Sequence, residues 1–469
     1  MLSGVSAIVT ARLGCITTAS LVSLLCVTKV QVAASATPTC QRPRLTEVIQ
    51  RGLTTQATDT SNTMIFTSPM DKLSEAKQAS LWGLLIGDAL SMPVHWYYDA
   101  DDIKRDYGKW LTGYVAPRKQ HPSSIMSLSA TGGSGRSGFS TRREEPLIGN
   151  VILHDKLQYW TNRGGSVHYH QGMSAGDSTL NALCALKVCQ TMTRVDPDND
   201  LSPRDLRSAV LADYVQFLTT PGTHNDTYAE SFHRAFFRDW IQAGKPVTKD
   251  GLIDFAEKRH EEQSAGSADS QLAVIGAFVM AVPFVLHAAH LSEAEAVRNT
   301  VDFVRLTHPL PPHHLEPFLE LYVKVLHAVL NGASLQEKAA EALQSPVLGG
   351  SGTWKRVQTF SSEAAGYAKG SDSRLSVYQE AVGRFGLACY IKGSLTSLFF
   401  LAHEFHDDME GGVLTNTNVG GENCHRGAAL GALLAAAAGS TGKPLPQGLK
   451  DGLGSARTDL MALLANSKL

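Results

Sequence analysis

The chain has 469 residues, 43% hydrophobic and 18% charged, with 42 Lys and Arg set against 44 Asp and Glu. That length allows two or three domains or one large one, and the near-neutral charge excludes a protein built to hold nucleic acid or to lie on a membrane surface. Its seven cysteines are spread thinly, with neither disulfide-framework density nor paired Cys-x-x-Cys spacing, and so favour a reduced compartment.

Residues 1–70 read differently from the rest: Glu47 is the first acidic residue, and Ser, Thr, Ala and Val dominate. Leu13–Val27 fits the apolar region of a secretory signal, with Ala34-Ser35-Ala36 as a small-residue cleavage site. The acid-poor run carrying Arg42, Arg44 and Arg51 fits a mitochondrial or plastid transit peptide equally well. If the segment is neither, the protein is expected in the cytoplasm. Residues 71–469 are expected to form one helical domain that does not insert stably in a membrane.

From Asp71 the apolar residues recur with helical period. Ser74 to Leu90 reads as one helix, with Leu81, Leu84, Leu85 and Ala89 as a stripe and Gly83 and Gly87 as a bare face; Pro93 stops it. Asp88 lies inside this apolar run, where an unpaired carboxylate is costly, so a partner is expected. His95, Trp96, Tyr97 and Tyr98 follow as an aromatic shelf, suited to stacking a flat ligand or to core packing. Residues 105–149 read as irregular. The loop Gly132–Gly138 offers backbone N–H groups and Arg136 to a phosphate, but it lacks the Lys-Ser/Thr ending of a P-loop and reads more simply as a surface loop.

A polar cluster at 168–181 contains His168, His170, Gly176, Asp177, Ser178 and Thr179, and opens a helix carrying Leu180, Leu183, Cys184, Leu186 and Val188. Asp177 is placed to be its N-cap. Further helices are expected over 204–218 and 227–242, up to Leu286 after Gly266–Ser270, up to Arg305–His308, and over 318–330 beyond Pro317. Residues 331–375 read as loop and 376–403 as helix. His403-Glu404-Phe405-His406 lacks the two-residue gap of the zinc motif HExxH. Alternating strand patterns are scarce, so the fold is all-α.

The stretch at 416–439 repeats the architecture of the 168–181 cluster. A polar loop turns at Gly420-Gly421, and Glu422, Asn423, Cys424 and His425 occupy the first turn of a helix made of Ala, Leu and Gly. Gly427, Gly431 and Ala435 recur every four positions, leaving one face nearly bare for close packing. Two helix mouths bearing carboxylates, far apart in sequence, are what a metal site between helices requires.

These motifs resemble those of the ADP-ribosylglycohydrolase family. Gly83-Leu84-Leu85-Ile86-Gly87-Asp88-Ala89-Leu90 resembles its G-x-x-x-G-D-A-x-G signature, Gly176–Thr179 its T-D-D-T loop, Thr307-His308 its internal Thr-His, and Gly420–His425 its G-G-D-x-D-T. The landmarks span roughly residues 75–445 in family order. The resemblance implies a compact orthogonal helical bundle in which two Mg²⁺ ions bind ribose hydroxyls and position water at an anomeric carbon. It also implies ADP-ribose, or an ADP-ribosylated small molecule or protein, as partner. The sequence departs from the pattern where Gly176, Ser178, Cys424 and His425 replace oxygen ligands. Met92–Tyr98 and Gly421–Gly427 are similar to the divergent branch grouped with the J-type crystallins.

Three readings follow. The first is a hydrolase of an ADP-ribosyl N- or O-glycosidic bond with an altered metal centre. In it Asp177, Glu422 and Asp88 hold metal, His95 or His425 handles protons beside a catalytic Asp177, and Gly176, Gly420 and Gly421 cradle the ligand. The second is an inactive ADP-ribose binder or crystallin-like structural protein. The third exchanges magnesium for softer chemistry: Asp177, Glu422, Cys424, His425 and His95 together make a zinc site or an activated Cys424 thiolate, whose place at a helix start is expected to lower its pKa.

Overall fold

The computed structural model describes residues 69–466, apart from 127–128, 130, 133–146, 162–165 and 267–271. The leader readings of residues 1–68, most of the Gly132–Gly138 loop, and Ser267–Ser270 therefore lie outside the described residues. Residues 65–469 make one compact unit.

Among the described residues there are eighteen α-helices, numbered here in chain order, and no strand. The fold is all-α, as the periodicity requires. Its axis is the pair α1 (Pro69–Ser91) and α16 (Asn423–Ser440), which touch backbone to backbone. A Cβ on Gly83 would sit 2.0 Å from the Gly431 carbonyl oxygen, and one on Gly87 would sit 2.0 Å from that of Gly427. Only glycine permits this approach. Tyr322 of α10 (Pro312–Leu330) closes another side of α16, donating its hydroxyl to the Ala429 carbonyl at 2.9 Å.

Around this axis, α8 (Gly276–His287) is buried along Gly276–Leu286 and packs on α4 (Leu180–Val195), which packs on α5 (Pro203–Thr219). A helix apolar on all sides belongs in the middle of a core. One continuous hydrophobic cluster runs from Ala76 to Leu463.

Several boundaries differ from expectation. Residues 331–375, read as loop, hold α11 (Leu335–Leu343) and α12 (Gly350–Ala365), and α13 (Asp372–Phe385) begins there. Pro346, Gly349, Gly350 and Gly352 read as breakers, yet they only mark the junction of two helices; the Ser334 side chain, accepting from the Glu337 amide, caps α11. α10 starts at Pro312 rather than after Pro317, because Pro312 sits at a helix start where its missing N–H costs nothing. The expected helix at 376–403 breaks at Gly386, whose backbone lies against Gly393 too closely for a side chain. α6 (Ser231–Gln242) begins four residues late, leaving 221–230 as a loop that feeds the site.

Candidate functional site

The site forms where the exit of α1 meets the mouth of α16. The amide of Trp96 donates to the Gly421 carbonyl at 2.8 Å, and the amide of Gly421 donates to the Tyr97 carbonyl at 2.6 Å. Making that short bridge needs left-handed backbone at Gly420 (φ 71°) and Gly421 (φ 67°), and also at Trp96 (φ 64°), where it is strained. Gly420 and Gly421 thus shape the backbone that aims Glu422. His121 and His168 staple the same loop by donating from Nε2 to the carbonyls of His95 (2.8 Å) and Pro93 (3.1 Å).

A buried chain of hydrogen bonds results. The Asp226 carboxylate lies 2.7 Å from His170 Nδ1, His170 Nε2 lies 2.8 Å from His95 Nδ1, and His95 Nε2 lies 3.0 Å from Glu422 Oε1. Trp96 Nε1 donates to Glu422 Oε2. Three hydrogen bonds between two ionised carboxylates need three ring protons, so the two imidazoles together carry one positive charge. Burial pushes His95 down to about 3 despite Glu422. Burial opposes the charge on Asp226, but the His170 ring and the Leu180 and Tyr228 amides outweigh it and hold the carboxyl below its ordinary range.

His425 completes the cluster. Its Nδ1 is 2.9 Å from Glu422 Oε1 and 3.8 Å from Glu230 Oε2. The approach to Glu422 is out of line, so this buried nitrogen makes no hydrogen bond, and the contact is an ion pair. Burial works against the His425 proton, but Glu422 and Glu230 raise its pKa to about 9. Burial also works against the Glu422 charge, yet His95 and His425 hold that carboxyl well below the usual range. Glu230 goes the other way: burial pushes it up, against the pull of His425. Two neighbouring carboxyls with pKa values pushed apart divide naturally into a proton carrier and a fixed charge.

Glu230 is also where the cluster meets solvent. A cavity of about 250 Å³ opens beside it, walled by Trp96, Tyr169, Tyr228 and Arg234 and rimmed by the exposed Tyr98 and Tyr390. Behind Glu230, Asn181 Nδ2 donates to Oε2 at 2.7 Å, His233 Nε2 lies 2.9 Å from Asn181 Oδ1, and the Tyr214 hydroxyl lies 2.7 Å from His233 Nδ1. Because the Asn181 amide must present its oxygen to His233, the ring carries its proton on Nε2 and accepts from Tyr214. A larger groove of about 300 Å³ lies between Trp110, Lys369, Arg374 and Phe405 and contains none of these groups. Size alone does not make it the site.

The other expected residues go elsewhere. Asp177 is not the helix N-cap; Thr179 is, and Asp177 instead accepts from the Ser174 amide at 2.8 Å. Gly176 packs against Gly452, whose carbonyl oxygen a Cβ there would meet at 2.1 Å. Thr179 binds Asp88 through its amide (2.6 Å) and hydroxyl (2.7 Å), supplying the partner that the buried Asp88 needs. The Cys424 thiol donates to Asp88 Oδ1 at 3.1 Å. Its pKa is raised well above the ordinary value by burial and by the Asp88 and Glu422 charges, which reverses the lowering expected at a helix start. Among the described residues the three-donor group able to hold a metal is His95, Glu422 and His425, with donor atoms within 4.8 Å of one another.

A sequence model of the ADP-ribosylglycohydrolase family matches residues 69–469. The chain belongs to that family. No curated protein matches it. A solved structure described as an ADP-ribosylglycohydrolase-related protein complex covers 84% of this chain and 97% of its own, at 17% identity and a TM-score of 0.42. Against the two magnesium ions that the resemblance implies, the chain's donors do not fit. Asp177 and Thr179 are engaged in other bonds, and the remaining cluster is rich in nitrogen, whereas Mg²⁺ requires oxygen.

Sequence reasoning did not select Glu230 or Asp226, and placed His170 and Asn181 only within the polar cluster at 168–181. A signal existed in Asn225-Asp226-Thr227-Tyr228-Ala229-Glu230, a polar run directly ahead of a strongly amphipathic helix. Nothing in the order of residues shows that it folds onto the mouth of α16.

Proposed function

We propose that the protein is a hydrolase of an ADP-ribosyl N- or O-glycosidic bond, with the cluster beneath the aromatic cleft as its reactive centre. The observation that carries this reading is that Glu230 belongs to both, lining the cavity while touching the buried His425–Glu422 pair. Glycosidic cleavage passes through an oxocarbenium-like state and needs one carboxyl able to move a proton and nearby negative charge to stabilise the cation. Glu230, with its raised pKa, suits the first task and ionised Glu422 the second. His95 and His425 set the charge around them, and the aromatic walls suit stacking of a base or nicotinamide-like ring.

A second reading, a non-catalytic ADP-ribose binder or crystallin-like structural protein, is favoured by the complete burial of Glu422, whose oxygens are engaged by His95, His425 and Trp96. The test is release of free ADP-ribose from N-linked and O-linked ADP-ribosyl peptides, followed chromatographically. The hydrolase reading expects turnover, with Glu230→Gln lowering kcat by roughly 10²–10⁴-fold while the fold is kept. Thermal stabilisation by ADP-ribose without turnover of either linkage would support the binder instead.

A further inference from the structure

We propose that His95 Nε2, His425 Nδ1 and Glu422 Oε1 form a mononuclear site for zinc or a similar borderline ion, with an open fourth position facing Glu230 and the cleft. The donor set is two imidazoles and one carboxylate, the set used by catalytic zinc sites that keep one position free. The spacing suits it. Oε1 lies 3.0 Å from the His95 nitrogen and 2.9 Å from the His425 nitrogen, against edges of roughly 3.3 Å in a tetrahedron with arms of about 2.0–2.1 Å.

Two further observations point to a ligand. His425 Nδ1 is almost completely buried, aimed into the cluster, and without a hydrogen bond. The far atoms of the other two ligands are already held, as the ligands of a metal site are. With Nε2 deprotonated to bind the ion and its proton released to solvent, His95 Nδ1–H would donate to His170 Nε2 and His170 Nδ1–H to Asp226. Trp96 Nε1 holds Glu422 Oε2, leaving Oε1 free to bind. Glu230 Oε2, 3.8 Å from His425 Nδ1, lies on the cleft side of the cluster, where the fourth position would open. Neither Cys424 nor Asp177 takes part.

The ion would serve the hydrolysis proposed above, but its binding is testable with no substrate present. The full chain, stripped with a chelator and dialysed, is titrated with Zn²⁺ and with Co²⁺ and its metal content measured. One equivalent of each is expected, with visible cobalt bands of four- or five-coordinate geometry that millimolar Mg²⁺ does not displace. His425→Gln is expected to abolish the bands, Asp226→Asn to weaken binding by about 10–100-fold, and Cys424→Ser to leave affinity unchanged. X-ray absorption of the wild-type zinc form keeps the test independent of how the variants fold: two imidazoles and no sulfur are expected at the ion. Less than a tenth of an equivalent bound, a sulfur ligand, or cobalt bands that persist in folded His425→Gln would overturn the site. ADP-ribose release by the stripped protein would overturn only the ion's link to hydrolysis, so the two proposals fail separately.

Discussion

His425 and Glu422 are the residues whose chemistry depends most on their surroundings. Alone in water, one would be half-charged near neutrality and the other an ordinary carboxylate; buried side by side, each fixes the charge of the other. The His425 pKa is raised in the folded state, so its stabilising contribution is complete below the unfolded value of about 6.5 and is lost as pH rises through about 9. At 1.36 kcal/mol per pH unit, that interval corresponds to on the order of 3 kcal/mol. Denaturant unfolding of the metal-free protein between pH 6.5 and 9.5 is expected to show the decline, and His425→Gln to flatten it. Glu422 is shifted downward, so its contribution is present above about pH 4.5 and lost in acid. Cys424 shows the same lesson with the opposite outcome. A helix start lowers a thiol pKa, but complete burial beside Asp88 and Glu422 outweighs the dipole.

At the level of elements, the contact between α1 and α16 decides most. The glycines at 83, 87, 427 and 431 bring two backbones together and thereby set Asp88 beside Cys424 and His95 beside Glu422. Gly83→Ala is expected to lose about 3 kcal/mol, because the added Cβ meets a carbonyl oxygen that belongs to rigid helix rather than to a side chain that can rotate away. The same change at Gly352, inside α12 with nothing within 4 Å of the added atom, is expected to gain about 0.5–1 kcal/mol. Chemical denaturation of the two variants checks the sign at both positions; equal effects would mean that the close approach is not what makes glycine necessary. Helix polarity matters here too. Glu422 stands at the N-terminal end of α16, where the helix dipole favours a negative charge.

On the scale of the molecule, a continuous core from Ala76 to Leu463 ties the site to nearly every helix, and the family match starts at residue 69. A chain beginning at Ile65 is therefore expected to unfold in one transition, coincident by circular dichroism and tryptophan fluorescence. Separate transitions would show that the helices divide into independently stable parts. Among the described residues no helix is long and apolar enough to cross a membrane, and Cys184, Cys189 and Cys424 are in no disulfide.

The all-α class, the glycine faces of α1 and α16, the break near Pro93 and the Glu422–His425 mouth were all legible from the sequence, because each is a local pattern: a 3.6-residue period, a four-residue spacing, a turn followed by a helix start. α11 and α12 were not, since Pro346, Gly349, Gly350 and Gly352 at their junction are turn-forming residues that mask the helical pattern on either side. The composition of the site was decided only by tertiary structure. His95, His170, the Asp226–Glu230 run and Glu422 come from four separate places in the chain, and the distances between them follow from how helices pack. Burial then settled what each could do, raising Glu230, lowering Glu422, silencing Cys424 and turning Asp177 toward its own loop. Local order in the chain determines which side chains stand at a helix mouth; the dielectric and the neighbours that determine their charge exist only after the chain has folded.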